Sequence, residues 1–118
     1  VIGININDST QDFTGQILRG EKTVETRRTD SLRPYVGQRV GLVRTGLGRA
    51  MLVGYATIGE PIRYQNRRQF AADFKRHRVA LGSPYGFGAG EKLGYPLTNV
   101  ESTPPRPVTS RGIVARKI

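Results

Sequence analysis

Two runs of the 118-residue chain, RVGLVR (39–44) and RAMLVGYATIG (49–59), face each other across TGLG, and that pairing restricts the fold more than any other feature. Glycines in a four-residue connection suit a hairpin, so the two runs are expected to pair antiparallel. The second run is apolar on both alternating faces, with Met51, Val53 and Tyr55 on one and Leu52, Ala56 and Ile58 on the other. A strand covered on both sides belongs to the wall of a small barrel or to a sheet packed under a helix.

The rest of the chain fits around that hairpin. VIGINI alternates Ile2, Ile4 and Ile6 as a half-buried strand does, and NDST follows with cap residues for a helix from about Thr10 to Arg19. Phe13, Ile17 and Leu18 form its apolar stripe, and Gly20 stops it. KTVETR, rich in β-branched residues, reads as a strand, and DSLRPYVGQ as a turn. NRRQFAADFKRHRVAL spaces Phe70, Phe74, His77 and Leu81 as one second helix. An extended return through YPLTNVESTPPRPV follows, where Pro104, Pro105 and Pro107 disfavour a central strand, and GIVARKI is the last strand. With no repeats and no linker, the order predicts one α+β domain over residues 1–118, a small mixed barrel flanked by two helices.

Composition narrows the chemistry. The chain has no Cys, no Trp and one His, which removes thiol nucleophiles, disulfides and Cys/His zinc sites. Of its 19 basic residues 15 are Arg, against 9 acidic ones, giving a net charge of +10. Guanidinium groups match phosphate and stack on bases, so the excess points to nucleic acid or a phosphorylated partner. No apolar run approaches the roughly 20 residues of a membrane helix, and a cytoplasmic protein with no membrane partner is expected.

Candidate sites differ in weight. His77 with Asp73 one turn before it is a possible base pair, although a lone His on a helix stripe is more often a satisfied core residue. The loop from Gly82 to Gly90 lacks the Gly-Lys-Ser/Thr of a phosphate loop, leaving Tyr85 and Phe87 as lid or base-stacking residues on a mobile surface loop. Arg67, Arg68, Lys75 and Arg78 form a basic helix face suited to phosphate contacts. In GEKTVETR, strand alternation puts Glu25 and Arg27 on one face and Lys22 on the other, so Lys22 joins them only if the backbone turns near Gly20.

GEKTVETR resembles the Gly-x-Lys-x-x-Glu-x-Arg signature of the ASCH domain superfamily, and PYVGQRVGLV is similar to the segment that leads into that family's next barrel strand. The resemblance implies a PUA-like barrel and a cleft lined by Lys22, Glu25 and Arg27 that takes RNA, a nucleotide or a modified nucleoside. Lys22 would contact a phosphate or activate water, Glu25 would accept a hydrogen bond or proton, and Arg27 would stabilise negative charge. It implies three activities: a ribonuclease-like hydrolase, an amidohydrolase on N4-acetylcytidine-type nucleosides, or a non-catalytic RNA-binding module. Aligned on the signature, the amidohydrolase Lys falls on Lys22, its Thr on Glu25 and its Glu near Asp73, with Thr23 or Thr26 as substitute hydroxyls. Tyr35, near the cleft entrance, and Ser110, before the last strand, are further ligand-binding candidates. No dedicated metal ligands or cofactor motif are visible, but Glu25 with Asp73 leaves water-mediated Mg²⁺ open.

Overall fold

The computed structural model describes residues 1–88 and 92–118, so the end of the glycine loop and Glu91 lie outside the described residues. The strands are β1 (Ile2–Asn7), β2 (Val24–Arg27), β3 (Arg39–Thr45), β4 (Met51–Ile58), β5 (Ile62–Tyr64), β6 (Lys92–Pro107) and β7 (Ala115–Lys117). They join one mixed, curled half-barrel sheet in the order β2-β6-β4-β3-β1-β7, with β5 also paired to β6. β1 runs parallel to β3, and the other strand pairs are antiparallel. The hairpin read from 39–58 is β3–β4, as expected from its glycines.

Helix α1 (Phe13–Leu18) lies against β1, β3 and β6. Its N-cap is Asp12, whose carboxylate accepts the Gly15 N–H, rather than a residue of NDST. Asp8 of that stretch is buried instead, accepting both the backbone N–H and the hydroxyl of Thr14. Ile4, Ile6, Ile17, Leu42, Ile58 and Tyr95 are among the side chains that fill the core.

Two expectations change in detail. The second helical interlude is divided into α2 (Arg67–Ala72) and α3 (Phe74–His77), because Asp73 leaves helical geometry and spends its carboxylate on Tyr64 and Arg76. The prolines of β6 are tolerated inside a long strand. Gly54 pairs with Ser102 and Leu52 with Arg106, so the register slips where Pro104 and Pro105 sit, and the bulge removes the need for their missing N–H groups.

His77 closes the core between α3 and the sheet. It is fully buried and stacks on Phe70 with ring centroids 4.1 Å apart. Its Nδ1 accepts the Val79 N–H at 2.9 Å, so the ring is neutral and its Nε2–H donates to the Phe70 carbonyl at 2.6 Å. Burial, reinforced by nearby Lys22, pushes the imidazole below its ordinary value despite the Phe70 bond and the attraction of Asp73. Lys92 also disfavours the charged ring. The unfolded chain therefore takes up a proton near 6.5 that the folded chain refuses. The corresponding stability is present above that pH and is lost as pH falls through the folded value. The thermal midpoint should drop as pH falls below about 6.5, and His77→Phe, though less stable at pH 7 by about 1–3 kcal/mol, should show a flatter slope there. An unchanged slope in the variant would assign the acid sensitivity to another group.

Candidate functional site

Lys22 does not belong to a strand. Gly20 adopts φ +80°, and the N–H groups of Glu21 and Lys22 both donate to the Gln16 carbonyl, at 2.8 and 3.0 Å. Thr23 then donates to the Arg76 carbonyl, and regular pairing begins only at Val24. The turn required near Gly20 is present, and strand alternation does not govern Lys22.

Its side chain is consequently buried beside the Glu25 carboxylate, which strand alternation alone would have put on the opposite face. Lys22 is 1% exposed; its Nζ donates to the His77 carbonyl at 2.5 Å and lies 3.6 Å from Glu25 Oε1. It also sits 5.0 Å from the centre of the Phe13 ring. Arg27 engages the other carboxylate oxygen, with Nη2 2.9 Å from Glu25 Oε2, and donates to the Asn5 carbonyl at 2.7 Å. Burial pushes the Lys22 ammonium below its usual range, Glu25 opposes that, and Arg27 adds to it.

This triad lines a pocket of about 480 Å³. Arg28, Lys92 and Arg116 join Lys22 and Arg27 on its walls, where Glu25 is the one lining carboxylate among the described residues. Phe13, Val79 and Tyr85 supply apolar surface, while Asn5, Asn7, Thr26 and Thr45 add polar groups. Such a volume suits a small ligand or one unit of a polymer.

Asn5, Lys92 and Arg116 are among the wall residues that no sequence pattern singled out. Lys92 is buried, donates to the Tyr85 and Gly86 carbonyls, and is pushed down to about 8 by burial and then by Arg28. Asn5 holds both sides of the pocket. Its carbonyl accepts Arg27, its Oδ1 accepts Arg116 Nε at 2.9 Å, and its amide donates to the Gly112 and Ile113 carbonyls. No local pattern marks these residues, since Asn5 and Arg116 meet across 111 positions.

The remaining candidates divide. Thr26 and Tyr85 line the pocket, and Tyr85 meets Phe13 edge-on with centroids 6.1 Å apart. Phe87 instead packs against Phe70 in the core. Thr23 is exposed and outside the lining, Tyr35 packs against the core from a 3₁₀ turn at Arg33–Tyr35, and Arg67 and Arg68 are exposed on α2. Ser110 stands behind the wall, its hydroxyl donating to the Lys117 carbonyl and its own carbonyl accepting Arg116. Asp73 lines a different, shallow depression with Tyr64 and Arg76. It therefore shares no site with Glu25, which removes the proposed Mg²⁺ pair, and it does not pair with His77 as a catalytic dyad. Among the described residues no group of three or more His, Cys, Asp or Glu could hold a metal, and no helix is long and apolar enough to cross a membrane.

No family model matches the sequence, and no curated protein matches it. Solved structures do. An ASCH structure from Zymomonas mobilis has a TM-score of 0.71 at 19% identity, covering 88% of this chain and 71% of that one. A serine-to-alanine variant of the same organism's protein gives 0.73 at 18% identity over 90% and 72% of the two chains. A tyrosine-to-phenylalanine variant gives 0.64 at 21% identity over 91% and 75%. The chain thus has the ASCH, PUA-like fold that its signature suggested.

Removing one partner of a buried ion pair costs more than its net attraction, because the other charge is stranded. Glu25→Gln should therefore destabilise the protein by about 3 kcal/mol, leaving both Lys22 and Arg27 without their counter-charge. Lys22→Met should cost less, since Glu25 keeps Arg27 and a desolvated ammonium is removed. Chemical denaturation of both variants tests the order; a larger loss in Lys22→Met would show that the His77 contact, not the carboxylate, dominates.

Proposed function

We propose that the pocket binds RNA or a nucleotide-like ligand, with Lys22, Glu25 and Arg27 at its reacting end. The observation that carries this is the convergence, among the described residues, of five cationic side chains, two aromatic rings and one carboxylate on a pocket of about 480 Å³. The cations match phosphate oxygens, and Phe13 and Tyr85 offer surface to a base. The ASCH, PUA-like fold agrees with a ligand of this class.

The same arrangement suits hydrolysis of the bound RNA. Glu25, the lining carboxylate among the described residues, can accept a proton from an attacking hydroxyl or water. Arg27 stands beside it to stabilise charge growing on phosphoryl oxygens. Lys22 already donates to His77 and faces Glu25, so its part is to orient the carboxylate and offer its remaining N–H to the ligand. The amidohydrolase reading is less well supported, because Thr26 alone of the two candidate threonines lines the pocket and Asp73 lines another depression.

The test combines binding with product analysis. Affinity for a short uridylate RNA should fall steeply between about 0.05 and 0.2 M salt, and Arg27→Ala should weaken it about tenfold or more. Mass spectrometry of an RNA and N4-acetylcytidine pool should reveal shortened RNA with the parent and none with Glu25→Gln, whose binding persists. Salt-dependent binding without any product would reduce the protein to a recognition module. Release of acetate instead of RNA fragments would favour the amidohydrolase. Absence of binding would reject the pocket as a nucleotide site.

A further inference from the structure

The pocket opens at one end of the sheet, and that end has an unusual charge distribution. β1 and β3 both finish there, the β3–β4 turn lies there, and β6 ends beside the start of β4, where the Val108 N–H donates to the Ala50 carbonyl. The chain from Val108 to Val114 then crosses beneath these strand ends to reach β1, where the Asn5 N–H donates to the Val114 carbonyl. Gly112 and Ile113 of this crossing line the pocket.

Arg49 sits on the turn, Arg106 at the end of β6 opposite Leu52, and Arg111 on the crossing segment immediately before the pocket wall. All three are exposed, and among the described residues their guanidinium groups have no hydrogen-bond or ion-pair partner. By contrast Arg19, Arg27, Arg33, Arg39 and Arg76 are each paired with a carboxylate. The difference is written into the sequence: no Asp or Glu side chain occurs from Ser31 to Gly59 or from Ser102 to Ile118, the two stretches that carry these arginines, and Asp8, which follows β1 at this end, is buried and accepts from Thr14. Two exposed apolar side chains accompany the arginines, Leu47 on the turn at 62% and Ile113 at the pocket rim at 96%.

We infer that this end, with its exposed guanidinium groups left without carboxylate partners, is a track on which a single-stranded nucleic acid continues out of the pocket across Arg111, Arg106 and Arg49. The inference rests on the pocket being a nucleotide site, and it adds that the natural ligand is a polymer rather than a free nucleotide. Unpaired guanidinium groups on an extended surface supply phosphate contacts without sequence preference. The rim and turn side chains Ile113 and Leu47 give unstacked bases an apolar surface. The pocket itself takes one unit, which a duplex would have to unpair.

The test compares uridine monophosphate with uridylates of three, six and nine units on the full chain, for the parent, for Arg49→Ser/Arg106→Ser/Arg111→Ser and for Arg67→Ser/Arg68→Ser on α2. Affinity should rise with length for the parent. The track variant should bind the monophosphate as the parent does but lose most of the gain with length, its salt slope falling by about 2. The α2 variant, which loses two charges against the track variant's three, should keep that gain in full. If the monophosphate binds and longer uridylates bind no tighter, or if the two variants lose equally, the track is rejected while the pocket reading stands. If uridylates bind but the monophosphate neither binds nor competes, the pocket reading fails, and with it the continuity between pocket and track.

Discussion

One buried ammonium holds the site and the core together. Lys22 bonds the last residue of α3 through the His77 carbonyl and faces Glu25 on β2, so the turn after α1, the helix and the strand meet at a single nitrogen. Burying that charge is costly, and neither the carbonyl nor the carboxylate alone offsets the lost hydration. Together with Arg27 they form a group in which Glu25 lies between two cations. Such a group adds little net stability, but it tolerates few alternative positions. Its consequence is orientation: the carboxylate cannot rotate away from the pocket without stranding a charge.

The strands were legible because their signals are local. Alternation of Ile4 and Ile6, and glycines between two apolar runs, are read within a few residues. β2 was misjudged at its start, since KTVETR has strand propensity throughout, yet the Lys22 N–H is taken by Gln16 and the Thr23 N–H by Arg76. Tertiary hydrogen bonding overrode propensity there. The same competition divided the second helix, where Tyr64 and Arg76 hold Asp73.

Half of the site was legible for the opposite reason. Lys22, Glu25 and Arg27 fall within six positions, and a resemblance in a short signature singled them out. Asn5, Lys92 and Arg116 come from β1, β6 and β7, and they meet only because β7 pairs with β1 and β6 with β2. Nothing in the neighbourhood of Asn5 announces that its amide and carbonyl will bridge two guanidinium groups. Charge counting pointed to an anionic partner and singled out Arg67, Arg68, Lys75 and Arg78, because helix faces are visible in a sequence; none of the four lines the pocket, whose cations gather at a sheet end that no local pattern marks.

The arginines then separate into two kinds by their surroundings. Arg27 and Arg116 are partly buried and fixed, one by Glu25 and the Asn5 carbonyl, the other by the Asn5 side chain and Ser110. A guanidinium already oriented loses little further freedom when it meets a ligand, so each contact it makes there is favoured. The solvated arginines outside the pocket give up more side-chain freedom for each contact, and their attraction is screened by salt. On the proposed reading of the pocket, such a chain would recognise its ligand through the few fixed cations and gather it through the exposed ones, so that arginine would serve geometry at the pocket and electrostatic potential around it.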